Sequence, residues 1–209
     1  MRENILNGTL KPGSRLVIRK IAQELGVSAI PVREAIRSLQ VQGLVTMTPH
    51  AGAQVSTLDI DEIKDIMELR SILEGYATRS IIPVKANTKT KLQQCMKKMK
   101  KCIDENNLSG FGVLNREFHN IIYQQTPNKK LLSMIEEVLH ASERTRAVFN
   151  LSAQRVTQAY QEHQDILDAL LAEDGDKAEE LVRMHRQRVG QIIVDCVKEQ
   201  QEKESNQVL

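Results

Sequence analysis

Three histidines, each on a stretch that reads as a different helix, are the side chains of this chain best suited to chemistry. His119 shares a helical edge with Asn115, one turn earlier, and with Ile122. His163 stands three and four residues before Ile166 and Leu167, and His185 aligns with Leu181, Val182, Val189 and Ile192. At helical spacing each imidazole turns toward the apolar side of its own helix. One histidine so placed is ordinarily a hydrogen-bonded core residue. Three, with an amide oxygen one turn away, have the composition of a site for a divalent transition metal such as Zn, Ni or Mn, bound at ~2.0–2.2 Å. The tertiary structure decides between these readings by whether the rings meet.

Such a centre has three possible uses. With open positions it could activate water, which keeps a metal-dependent enzyme as an alternative. Against that reading, no aspartate or glutamate stands out as a positioned general base, and paired Glu-x-x-His motifs are absent. An inert helical dimerisation scaffold would leave three inward histidines unexplained. A sensor whose bound ligand alters another part of the chain is the third use.

The elements that must carry these residues are helices. From Asp59 onward no convincing strand appears, and the punctuation at Pro83, Asn106-Asn107, Pro127, Asn150 and Gly175 divides the body into six. They are expected near 59–81, 87–106, 108–125, 128–149, 152–172 and 175–203. Each has an apolar stripe; in the second, Leu92, Met96, Met99 and Ile103 share a face, and Lys97, Lys98, Lys100 and Lys101 read as a solvated face. The polar stretch Lys198–Leu209 is expected to fray.

Residues 1–57 differ in character. They carry net charge +4 against −2 for the remainder, within a 209-residue chain of net charge +2. A basic head on a mildly acidic body suits nucleic-acid binding by the head alone. No apolar run approaches the ~18 residues of a membrane span, and no secretory leader opens the chain. Cys95, Cys102 and Cys196 form no C-x-x-C pair, which fits reduced thiols in a cytoplasm.

Within that head, Leu25-Gly26-Val27-Ser28-Ala29-Ile30-Pro31-Val32-Arg33-Glu34-Ala35-Ile36 reads as a helix end, a tight turn and a new helix. Gly26 suits a left-handed helix stop, Ser28 a cap, and Pro31 the first turn. A preceding helix from about Val17 to Leu25 should turn Ile21, Ala22 and Leu25 inward. Val32, Ile36 and Leu39 then face inward, leaving Ile30, Arg33, Glu34, Arg37, Ser38 and Gln40 outside. This is the sequence form of a helix-turn-helix whose second helix enters a major groove. The alternative for Arg33 and Arg37 is a solvated face with a Glu34–Arg37 pair. Arg2–Leu6 reads as the tail of a first helix whose start lies upstream or at another initiation point. Leu44–Met47 and Ala53–Val55 read as two short strands, a wing around Pro49-His50-Ala51-Gly52.

Taken with Ile5, Gly8, Leu10, Pro12-Gly13, Leu16, Gly43-Leu44-Val45 and Val55, these residues resemble the winged-helix head of the GntR family of bacterial regulators, over roughly residues 5–55. The resemblance implies operator contacts from Arg19 and Arg33, from Ser28, Ala29, Ile30 and Arg37 around the recognition helix, and from His50 and Gly52 in the wing, with an incidental loop residue as the alternative reading of His50. Ala29 departs from the arginine usual there. A bidentate Arg–guanine contact is worth ~1–3 kcal/mol, so a different or looser operator is expected.

The body resembles the FadR C-terminal ligand-binding domains that follow many GntR heads, in their six-helix VanR-like form. Asn115-Arg-Glu-Phe118-His119, Glu162-His163 and Met184-His185 match its metal pattern, and Glu68-Leu69-Arg70-x-x-Leu73-Glu74, Arg144 and Arg146 match further positions. The resemblance implies a metal held by Asn115, His119, His163 and His185. Asn115 stands where Asp is commoner, which leaves the site more electropositive and favours an anionic effector or water at the open positions. Arg70, Arg144 and Arg146 could receive a carboxylate, or could form structural salt bridges. The expected molecule is therefore mainly α. A winged helix-turn-helix over 1–57 precedes an antiparallel all-helical effector-binding and dimerisation bundle over 58–209. The Ser56-Thr57-Leu58 link, without Gly or Pro, should couple the two. The expected partners are operator DNA, a small organic acid and a second copy of the chain, with no membrane.

Overall fold

The computed structural model describes residues 1–48, 52–147 and 153–206, the side chains of 146, 147 and 203–206 excepted. The chain forms two compact units. The first comprises Met1–Ile66, Leu139–Asn150 and Ile192–Leu209, and the second Met67–Val138 and Leu151–Gln191.

The first unit opens with helices α1 (Arg2–Leu6), α2 (Ile18–Leu25) and α3 (Ala29–Val41), followed by strands β1 (Val45–Thr48) and β2 (Gly52–Val55). Gly26 ends α2 in the left-handed region at φ 65°, and Val27 N–H returns to the Ala22 carbonyl at 3.0 Å. The strands pair antiparallel, Val45 with Val55 through Thr48 with Gly52. Beside them runs the chain from Gly13 to Leu16, with Leu16 N–H donating to the Ala53 carbonyl at 2.8 Å. Val32, Ile36 and Leu39 close onto Ile5, Leu16 and Val55 in one apolar core. Each such buried side chain contributes ~1.5–3 kcal/mol.

Two expectations for the head fail locally. Leu25 is 61% exposed rather than inward, because the chain turns at Gly26 before α3 can cover it; Ala22 alone in α2 is fully buried. Ser28 occupies the N-cap position with extended backbone, but its hydroxyl makes no cap hydrogen bond. The wing residues 49–51 lie outside the described residues.

The body helices are α4 (Ile60–Ser80), α5 (Ala86–Asp104), α6 (Leu108–Tyr123), α7 (Lys129–Ala141), α8 (Ala153–Leu171) and α9 (Gly175–Asn206). The asparagine stops act as caps. Asn107 Oδ1 accepts from Gly110 N–H at 2.9 Å, and Asn128 Oδ1 from Lys130 and Leu131 N–H at 3.0 Å each. Two boundaries differ from expectation. α7 stops at Ala141 and tightens into a 3₁₀ turn over Ser142–Ala147. There the Ser142 and Thr145 hydroxyls bond back to the Leu139 and Ser142 carbonyls, competing with the helix ladder. At the other end, α9 continues to Asn206 rather than fraying at Lys198.

The 3₁₀ turn belongs to the first unit. Glu143 takes the Arg2 guanidinium, Arg144 pairs with Glu62, and Arg2 Nε also donates to Gln42 at 3.1 Å. In the second unit α5 packs on α6 and α8. Gly190 lets α9 close on α4, since a Cβ there would stand 3.0 Å from Met67 Cβ. No helix among the described residues is long and apolar enough to cross a membrane.

Candidate functional site

His119 on α6, His163 on α8 and His185 on α9 meet in the second unit, all buried, with one ring nitrogen from each within 4.8 Å of the others. The Nε2 atoms of His119 and His163 are 3.0 Å apart. A metal with ~2.1 Å bonds spaces its donors by ~3.0–3.4 Å, so the His119–His163 pair already has that spacing and a metal would draw the set in from within 4.8 Å. Phe118 seats the group, edge-on to His163 at 4.8 Å.

The unsatisfied atoms test whether a metal suits these residues. Asn115 Oδ1, His119 Nδ1 and His185 Nε2 are buried without a hydrogen-bond partner. Orphaned buried acceptors are costly unless something electropositive reaches them. Three buried imidazoles that meet, with an amide oxygen one turn before His119 on α6, are donor types that suit a borderline divalent ion.

Two carboxylates that the histidine periodicity does not disclose organise the surroundings. Glu162 Oε2 accepts from His185 Nδ1 at 2.5 Å. The same carboxylate takes a two-pronged bond from Arg155, at 3.0 and 3.1 Å, and another from Arg188. Glu74, wholly buried, accepts from Arg70 Nε at 2.6 Å, from Arg186 Nε at 2.5 Å and from the Tyr123 hydroxyl. Arg186 Nη2 also donates to Tyr123 Oη at 3.1 Å, and the Tyr123 ring stacks on His119 at 5.9 Å. Four guanidiniums thus face two carboxylates around three imidazoles, and the field is positive before any metal is counted.

Protonation follows from that arrangement. Burial, and then the Arg186 charge, drives His119 well below the ordinary imidazole range. Burial likewise drives His163 down, helped by His185. His185 is lowered by burial to about 4, the Glu162 hydrogen bond only partly opposing the shift. All three are neutral near pH 7, the form a metal requires. Burial would raise the Glu74 carboxyl, but Arg186 and Arg70 bring it to about 2. Burial would also raise Glu162, yet hydrogen bonds from His185 and Arg155 hold it well below the carboxylate range.

Arg70 is engaged with Glu74, though close enough for its charge to act on His119. Arg144 belongs to the first unit and pairs with Glu62. The Arg146 side chain and His50 lie outside the described residues. In the head, Arg19, Ser28, Ile30, Arg33 and Arg37 are exposed, Ala29 and Gly52 half-buried. Among the described residues Arg19, Arg33 and Arg37 form no ion pair, so the Glu34–Arg37 pair is absent while the face itself is exposed to solvent. Lys97, Lys98, Lys100 and Lys101 are exposed, and Lys100 and Lys101 pair with Asp104 and Glu105.

Glu162, Glu74, Tyr123 and Arg186 had weak signals in the sequence. Glu162 directly precedes His163, Arg186 directly follows His185, Tyr123 is one turn after His119, and Glu74 one turn after Arg70.

The chain matches the model of the bacterial regulatory proteins of the gntR family over residues 1–55 and that of the FCD domain over residues 65–188. It is 26% identical to the uncharacterized HTH-type transcriptional regulator YdhC of Bacillus subtilis (strain 168), over 88% of this chain and 84% of that one. It is 24% identical to the HTH-type transcriptional repressor RspR of Escherichia coli (strain K12), over 92% and 85%. The fold is shared with a crystal structure of a GntR regulator from Rhodococcus sp. RHA1, at a TM-score of 0.75 and 20% identity, over 93% of each chain. Its relatives regulate transcription, which sets the enzyme alternative aside. With a winged head in front and a histidine-centred helical body behind, the chain belongs to the gntR family of bacterial regulators that carry an FCD domain.

Proposed function

We propose that this regulator is a homodimeric, cytoplasmic repressor whose grip on operator DNA is set by a small carboxylate bound at or beside a divalent metal. Asn115, His119, His163 and His185 would hold the metal. When bound, it would supply positive charge and open coordination positions for an anion. The observation that carries the reading is the meeting of three buried imidazoles, one ring nitrogen of each within 4.8 Å of the others, under the charges of Arg186 and Arg70. Arg70 and Arg186 keep the surroundings cationic, and a carboxylate entering there would offset charge that Glu74 leaves unbalanced.

DNA reading falls to Arg33 and Arg37 on the exposed face of α3, with Arg19 on α2 and the Ser28 hydroxyl at the helix start. A dimer places two such helices about one duplex turn apart, ~34 Å. The exposed stripe Leu69, Ile72 and Tyr76 along one face of α4 supports a self-interface, since three large apolar side chains at helical spacing face solvent in a single copy. The effector changes DNA affinity only insofar as it binds the two arrangements of the dimer unequally.

The decisive experiment has two arms. Elemental analysis and thermal melts, run with and without chelator against a panel of mono-, di- and tricarboxylates, should give bound metal and a metal-dependent rise in Tm. Operator sequences selected from random DNA should then be released by the stabilising acid. Metal-free protein that melts identically with every acid would defeat the sensing half. Failure to select any DNA would defeat the reading half.

A further inference from the structure

We propose that Glu162 is a positioning residue of the histidine centre, holding His185 as its Nδ1–H tautomer so that the Nε2 lone pair is aimed inward before any metal arrives. The inference builds on the metal reading above but concerns a side chain outside the donor set, and it stands on hydrogen-bond chemistry within the protein alone.

An ionised carboxylate only accepts hydrogen bonds. Glu162 is held ionised by a two-pronged Arg155 contact at 3.0 and 3.1 Å and by Arg188, so its bond at 2.5 Å to His185 Nδ1 requires the proton on that nitrogen. A neutral ring then carries its lone pair on Nε2, and His185 Nε2 is the buried atom left without a partner. His163 is set by a different acceptor with the same result: its Nδ1 faces the Ala159 carbonyl, which can only accept, so its Nε2 is bare. That bare atom faces His119 Nε2 at 3.0 Å, and His119 therefore carries its proton on Nε2, with Nδ1 unpartnered.

Two rings are thus preset as donors by their outer neighbours, one through a backbone carbonyl and one through Glu162. The two arginines do more than neutralise the carboxylate. They occupy Oε1 and share Oε2, which fixes the plane of the carboxylate against the imidazole edge. An outer carboxylate behind a metal-bound histidine is typically worth ~10–100-fold in metal affinity.

The test begins with metal-free protein. In ¹⁵N-histidine-labelled samples, long-range proton–nitrogen correlation reports each ring's tautomer, the signals being assigned by single His→Gln variants. The expected pattern is Nδ1–H for His163 and His185 and Nε2–H for His119. In Glu162→Ala, His185 should become a tautomer mixture while His163 stays unchanged, and Zn²⁺ affinity by chelator competition should fall ~10–100-fold. A folded Glu162→Ala protein with His185 still wholly Nδ1–H, or with Zn²⁺ affinity within twofold of the parent, overturns the proposal. If that variant does not fold, Glu162→Gln is read instead. Its amide oxygen can accept from His185 but lacks the charge, so affinity should drop several-fold; an unchanged value overturns the proposal equally. Should the parent protein bind no Zn²⁺, the metal reading fails, and the tautomer of His185 in Glu162→Ala still decides the role of Glu162.

Discussion

The Nε2 atoms of His119 and His163 lie 3.0 Å apart, although the two residues sit on different helices and 44 positions apart in sequence. Two imidazole nitrogens approach so closely only when a proton lies between them or a cation serves both. The cluster is therefore primed for exchange between those two states, and several outcomes can be measured.

Metal should stabilise the folded chain strongly. At free metal one hundred times its Kd the gain is ~2.7 kcal/mol, which a calorimetric scan reads as a rise of several degrees in Tm. Chelation should reverse it. His163→Ala should lose both the bound metal and the shift, and stoichiometric metal in a His119→Ala/His163→Ala double variant would dismiss the site.

Acid should weaken the metal-free protein early. His119, His163 and His185 are all depressed in the folded state, His185 to about 4, against an ordinary 6.5. The unfolded chain then binds more protons, so their contribution is fully present above pH ~6.5 and drains away as pH falls toward 4. Urea midpoints at pH 7.5, 6 and 5 should decline in order. A His163→Asn variant should flatten that decline, and equal midpoints across the range would contradict the neutral, buried rings.

Removing the Glu74 charge should cost more than removing most surface groups. Glu74→Gln leaves Arg70 and Arg186 buried without their shared anion, a loss of ~3–5 kcal/mol at neutral pH. Glu74 is lowered in the fold to about 2 from an ordinary 4.5, so its contribution is present above pH ~4.5 and lost as pH falls toward 2. Denaturation curves of the two proteins should therefore converge in strong acid. Parallel curves down to pH 2.5 would show that the pairing does not operate as described.

On the DNA side, Arg33→Ala should leave the fold untouched, because Arg33 is exposed and forms no ion pair among the described residues. With a selected operator, anisotropy titrations should show a loss of ~1–3 kcal/mol together with relaxed preference at one base position. A uniform loss across all sequences, with a shallower salt slope, would make it a phosphate contact instead. Unchanged binding would remove it from the interface.

The head was legible because its signals are local. Gly26 needs a left-handed turn, Val32, Ile36 and Leu39 repeat at helical spacing, and short strands flank a wing. Leu25 was misplaced for a reason spacing does not encode, namely where the next helix begins to cover the last. The histidines were legible in direction only; their meeting depends on how α6, α8 and α9 pack. Glu74, Arg186 and Glu162 were hardest to foresee. Charged side chains are almost never fully buried unless paired, and the partner of Glu74 in Arg186 lies 112 positions away. Periodicity marks a charged residue as outward, and only tertiary pairing reverses that.

The 3₁₀ turn over Ser142–Ala147 bears on how such regulators could be recombined. By covalent order it is spliced between two helices of the body, yet Glu143 grips Arg2 and Arg144 grips Glu62, so by allegiance it sits with the front end. Grafting a foreign body behind Thr57 would strand Arg2 opposite an alien loop. A working chimera would have to transplant this six-residue turn along with the reader, as the second piece of a discontinuous module.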